Sequence, residues 1–282
     1  MDAVRVGFKV VLLGVALLVG QVIGGIIAGL LLHAPVPDMP HDGPFDMTEA
    51  LSLMTLAYAL VLSRFAARLR GGFGARMGTI FAVLYAVGTL LSVIETIYFK
   101  AYVKLPPFLV GQMALTGLTQ AVVAAPVAAA LWRGSGDEPD AISGLWWRLP
   151  LIAAIYIAFY FGAGALIAWQ GPQVRAYYDQ AVHINQMELA GLQFVRGLIW
   201  AALAWMSVRS LKGAYTSRAA ITGVVFAVLM VMPLLFPNPY MPWDVRKMHF
   251  VEIATSNLLF GLLAAGLLLS GAKNAQPATG RT

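Results

Sequence analysis

A chain of 282 residues with 60% hydrophobic and only 11% charged side chains is too apolar for an ordinary water-soluble fold, whose charged share is about 25%. Its formal charge of +6 is divided between loops rather than gathered in a patch, which points to membrane topology and not to nucleic acid. The lack of cysteine excludes disulfide scaffolds, thiolate metal sites and cysteine nucleophiles.

Eight apolar stretches follow one another, at about 6–32, 47–69, 77–98, 105–132, 149–169, 187–208, 219–236 and 250–270. At 1.5 Å per residue, about 20 residues cross a hydrocarbon core of about 30 Å. The expected fold is therefore an all-α, polytopic bundle of eight transmembrane helices, forming a single transmembrane domain over 1–282.

The first stretch starts with Arg5 and Lys9 as a signal peptide does, but its apolar run exceeds the usual 7–15 residues, so it reads as a retained helix. It carries Gly20-x-x-x-Gly24 and Gly25-x-x-x-Gly29, spacings that let helices approach closely in lipid. The loop after it gathers His33, Asp38, His41, Asp42 and Asp46 among Pro and Gly. Glu95 closes the third stretch. Gln112, Thr116 and Thr119 lie on the fourth, where Pro126 is expected to kink the helix, as Pro233 is in the seventh.

Residues 134–145, rich in Gly, Ser and Asp, read as a polar, flexible linker. They separate 1–133 from 146–272, each with four stretches. The halves share features: Gly78-Thr-Ile-Phe-Ala-Val-Leu84 matches Gly223-Val-Val-Phe-Ala-Val-Leu229 at a spacing of 145, and Met47-Thr-Glu49 echoes Met187-Glu188. A tandem four-plus-four duplication with parallel copies would produce this. In the fifth stretch Gly162 and Gly164 mark close packing, as do Gly261, Ala265 and Gly266 in the eighth. Between the fifth and sixth, Pro172, Val174, Tyr177, Tyr178, Ala181 and Ile184 recur at helical spacing and predict a short interfacial helix, either an aromatic belt or a lid. Residues 273–282 read as a disordered tail.

Thirteen of the nineteen Lys and Arg residues fall at one end of the predicted bundle and five at the other, with Arg196 inside a span. The positive-inside rule then puts both termini in the cytoplasm. Nine of the thirteen acids and all four histidines fall at the opposite end. Arg196 lies eight residues past Glu188, about 12 Å deep, and needs an anionic or carbonyl partner there. Glu95 and Glu252 are the expected partners. His249, Glu252 and Ser256 are spaced i, i+3, i+7 on one face, with Asn257 beside it at the depth of Arg196. Arg196, Glu252, His249, Glu95, Asn257, Ser256 and Gln112 form the candidate polar cluster.

His33, His41, His183 and His249, with Met39, Met47, Met187, Met241 and Met248, offer ligand types suited to copper, zinc or iron, but none has a recognised ligand spacing. No metal site is assigned, haem has no pair of facing histidines at matched depth, and no cofactor is specified. HExxH, GxxxxGKS, GxSxG and tight GxGxxG motifs are absent from the sequence. Three function classes remain for what reads as a bacterial inner-membrane protein. The first is transport or binding of a small polar or anionic solute in an outward-facing polar cavity. The second is a membrane-embedded enzyme acting on a lipid-linked or periplasmic substrate. The third is a non-catalytic accessory subunit bound to a membrane-protein partner. The lipid bilayer is a partner in every case.

Overall fold

The computed structural model describes residues 3–34, 39–100, 102, 105–134, 136–179 and 185–272. The expected tail, His183 and Asp38 lie outside them. The described residues are helical, in the order α1 (Ala3–Leu32), α2 (Met47–Ala66), α3 (Phe73–Tyr85), a π turn (Ala86–Leu90), α4 (Leu91–Phe99), α5 (Leu109–Leu131), α6 (Leu145–Leu166), α7 (Pro172–Asp179), α8 (Gln186–Ser210), α9 (Tyr215–Val231) and α10 (Trp243–Leu269). Eight spans are long and apolar enough to cross a membrane, with α3 and α4 forming one broken span. This is a multi-pass, all-helical membrane protein.

Six of the spans begin earlier than their apolar runs, the eighth by the most. The eighth was expected from 250, yet α10 starts at Trp243, because Asp244, Arg246 and Lys247 occupy polar helical turns that hydropathy does not register. Capping sets other starts. Asp46 and Glu49 form a reciprocal capping box on α2, and Asn185 accepts from the backbone of Met187 and Glu188 at α8. Pro126 stays inside a continuous α5, whereas Pro233 sits in the 3-10 turn Met232–Leu235 that ends α9.

The buried face of α5 is built from small residues and the outward face of α1 from large ones. Ala121, Ala124, Ala125, Ala128 and Ala129 of α5 are buried, while Phe8, Val11, Val15, Ile26 and Leu30 of α1 face outward as lipid would require. Gly20 and Gly24 lie directly on α5. A β-carbon at either would come within 2.7 Å of the Cα of Gln120 or Thr116. Gly25 and Gly29 meet nothing within 4 Å, so the second of the two small-residue motifs does not pack inside the chain.

The helices of 1–133 pack on one another, and so do those of 146–272. In the first, α1 packs on α2 and α5, and α3 on α5; in the second, α6 packs on α8 and α10, and α9 on α10. Between the halves, α2 meets α9 and α3 meets α8. The α2–α9 contact is pinned by Tyr58, whose buried hydroxyl donates to the Leu229 carbonyl at 2.5 Å.

At the basic end the expected flexible linker is instead tied down. Asp140 accepts from Arg70 and from Arg218, the latter at 2.8 Å, and its amide donates to Arg209. The Asp137 carbonyl accepts from Gly71, and Ile142 bridges to Ala272. One carboxylate between arginines from both halves holds the segment, which is why its loop-like composition misleads. At the opposite end, Asp42 is the counterpart: Arg246, 1% exposed, reaches its carboxylate at 2.5 Å and donates to the Phe236 carbonyl, while the Trp243 amide donates to the same carboxylate at 2.7 Å.

Candidate functional site

Arg196 follows Gln186, the first residue of α8, by ten residues, or about 15 Å along the axis, which is mid-bilayer depth. It shares the buried face of α8 with Gln193, Gly197 and Trp200. Gly197 lets α6 come close, since a β-carbon there would meet the Ala153 Cα at 2.8 Å. That approach brings Tyr156 beside Arg196, with the guanidinium 5.8 Å from the ring centroid.

Of the two carboxylates considered for Arg196, Glu95 reaches it: Arg196 Nη2 lies 2.9 Å from Glu95 Oε2. Arg196 Nη1 donates to Gln193 Oε1 at 2.7 Å. Tyr160 of α6 stands beside the same pair. The π turn explains how Glu95 points inward. A wider turn advances the following residues around the helix, so α4 does not continue the face that α3 presents. No residue pattern announces that turn beyond Gly88.

The pair is unequally buried. The side chain of Arg196 is 1% exposed and that of Glu95 24%. Two buried N–H groups on this face of α8 have no acceptor, Arg196 Nε and Gln193 Nε2, while Trp200 meets the Tyr156 hydroxyl. An unsatisfied buried donor costs about 1–3 kcal/mol, more when charged, so two side by side describe a place that accommodates acceptor oxygens. Toward the basic end the site is closed. Trp200 packs on Phe226 and Phe260 at centroid distances of 4.7 and 6.0 Å, and Tyr156 packs on Phe260 at 5.2 Å.

His249 and Glu252 pair with each other, His249 Nδ1 lying 2.7 Å from Glu252 Oε2. The other imidazole nitrogen lies 3.2 Å from the Tyr178 hydroxyl of α7. With Nδ1–H donating to the carboxylate, Nε2 accepts from the phenol, so the ring is held from both sides. Burial pushes the Tyr178 phenol up, and Tyr177, Glu95 and Glu252 add to the rise. It therefore remains a protonated donor, and both carboxylates act on it from beneath α7. Val174 and Tyr178 seat that helix on Ala168, Val245 and Met248.

The remaining candidates are less engaged. Ser256 turns back to the Ile253 carbonyl of its own helix at 3.4 Å. Asn257 is buried, and Gln112 on α5 is half-buried; no side-chain hydrogen bond ties either to Arg196. Among the described residues no group of three His, Asp or Glu side chains is placed to hold a metal ion. Two surface cavities, of about 450 and 370 Å³, are lined by residues such as Ile97 and Val110, and Leu18 and Leu51, and neither includes Arg196 or Glu252. Gln193, Tyr156 and Tyr160 were not singled out from the sequence. The i, i+3 spacing of Gln193 and Arg196 and the i, i+4 spacing of the tyrosines were the available signals.

No family model matches the chain, and neither curated proteins nor solved structures give a match.

Proposed function

We propose that this is a bacterial inner-membrane protein that binds a small polar solute, as a step in its transport, at the Arg196 cluster from the periplasmic side. The basic end, with Arg64, Arg68, Arg70 and Arg76 beside one loop, faces the cytoplasm together with both termini. The two halves are parallel copies of a four-helix unit; the repeated pairing of helices within and between them supports this. In such a scaffold the polar cluster joins α8 to α4, the second part of the third span, while α2 meets α9 through the hydrogen bond of Tyr58.

The observation that carries the reading is the pair of unpartnered donors, Arg196 Nε and Gln193 Nε2, beside a buried ion pair. The solute therefore presents acceptor oxygens. A thermal-shift screen of the purified protein against small carboxylates, amides and polyols tests this. A stabilising solute whose effect disappears in Arg196→Met supports it, and a screen that leaves the wild type unmoved contradicts it.

A second reading rests on a separate observation. An imidazole oriented by Glu252 and Tyr178 is arranged for proton transfer, as an enzyme acting on a lipid-linked substrate requires. His249→Gln would then abolish turnover of such a substrate, whereas a solute-binding protein would keep its ligand.

A further inference from the structure

We infer that the Arg196–Glu95 pair is a proton-linked carboxylate site, in which one small monocarboxylate and one proton bind together. The inference rests on the solute-binding reading above and names its substrate class and coupling ion. It starts from the edges of the guanidinium. Nε and Nη2 form one side-on edge, which suits both oxygens of a planar carboxylate. Glu95 occupies Nη2 alone, through one oxygen, and Nε on the same edge has no acceptor. That edge is half used, and the neighbouring Gln193 Nε2 is a further donor without a partner.

Charge then dictates what must accompany the anion. The resident pair is neutral. A carboxylate added to it would leave a net negative charge at mid-bilayer depth, where uncompensated charge is strongly disfavoured. One proton restores neutrality: Arg⁺ with Glu⁻, plus an anion and a proton, becomes Arg⁺ with the anion and a neutral Glu95. Glu95 is suited to take that proton because its side chain is a quarter exposed, whereas Arg196 cannot release its own. Once protonated, Glu95 gives up Nη2, and the incoming carboxylate takes the whole edge.

The surroundings supply few alternatives. From α6, Tyr156 and Tyr160 face the pair, and from α7 Tyr178; all three are phenols. From α10 come Glu252 and His249, already engaged with each other. Helix α5 contains no charged residue, and the single charged residue of α9, Arg218, is bound to Asp140 at the basic end. Among the described residues, Glu95 is thus the acid in direct contact with Arg196.

The test uses the purified full-length protein, with acetate and lactate as probes and acetamide and lactamide as their neutral counterparts. Proton uptake is followed with an indicator dye in weak buffer, and affinity is followed between pH 6 and 8. The expected result is about one proton taken up per anion, with affinity weakening about tenfold for each unit of rising pH. Glu95→Gln, which retains a hydrogen-bond acceptor for Arg196, should bind the anions without proton uptake and without pH dependence. The proton count itself is read on the wild type and does not depend on how well the variants fold. Anion binding without proton uptake, or a pH dependence that persists in Glu95→Gln, overturns the inference. Binding of the amides but not the anions overturns it while leaving the solute site standing. Binding of neither class overturns it, and if polyols also leave the wild type unmoved the solute site falls with it.

Discussion

Removing Glu95 should harm the protein more than removing Arg196, although they are two ends of one contact. In Glu95→Leu the guanidinium stays 1% exposed, keeps only Gln193 and the Tyr156 ring, and cannot shed its charge. Breaking a buried pair in this way costs about 3–5 kcal/mol. In Arg196→Met the residual group is a carboxylate with 24% exposure, which can take up a proton or meet water. Its cost should be nearer about 1–3 kcal/mol, the range for leaving a buried polar group unsatisfied. The double variant Glu95→Leu/Arg196→Met replaces the pair by apolar side chains and should recover most of the loss. Unfolding in mixed micelles, followed by tryptophan fluorescence on all four proteins, gives the coupling energy as a double-mutant cycle. A Glu95→Leu variant within about 1 kcal/mol of wild type, or one milder than Arg196→Met, would refute the reasoning from burial.

Other consequences are as specific. Gly24→Val drives a side chain into the α5 backbone at Thr116 and should destabilise by about 1–3 kcal/mol, while Gly29→Val, with nothing within 4 Å, should stay within about 0.5 kcal/mol in the same unfolding assay. Asp140→Ala leaves Arg70 and Arg218 without their carboxylate and frees the 134–145 segment, so limited proteolysis there should accelerate several-fold over wild type. The chain has no cysteine, so single ones report topology directly: Gly72→Cys should react with an impermeant thiol reagent from the cytoplasmic side alone, and Asp244→Cys from the periplasmic side alone.

The eight spans were legible because the bilayer demands length and apolarity, and both are local properties. Their polar first turns were not, since a helix that starts at headgroup level need not look hydrophobic; Trp243 to His249 of α10 is the example. The need of Arg196 for a partner followed from its depth. The choice between Glu95 and Glu252 did not, because it depends on the π turn at Ala86–Leu90, which redirects α4, and on the closeness of α6 and α8 at Gly197. Arg246 lies before the eighth apolar stretch. Its burial against Asp42 is a long-range contact between residues 204 apart, beyond the reach of any local pattern. Composition alone made 134–145 resemble a tether, whereas the acid in it is shared by arginines from both halves.

A high-resolution experimental density map of the protein in a lipid nanodisc, recorded with acetate or lactate, bears most directly on the central claim. It should show Arg196 held by Glu95 or by the added carboxylate, with ordered solute or water within hydrogen-bonding distance of Arg196 Nε and Gln193 Nε2. A dry site in which both donors have turned to protein carbonyls, or an Arg196 side chain reaching lipid, would contradict it.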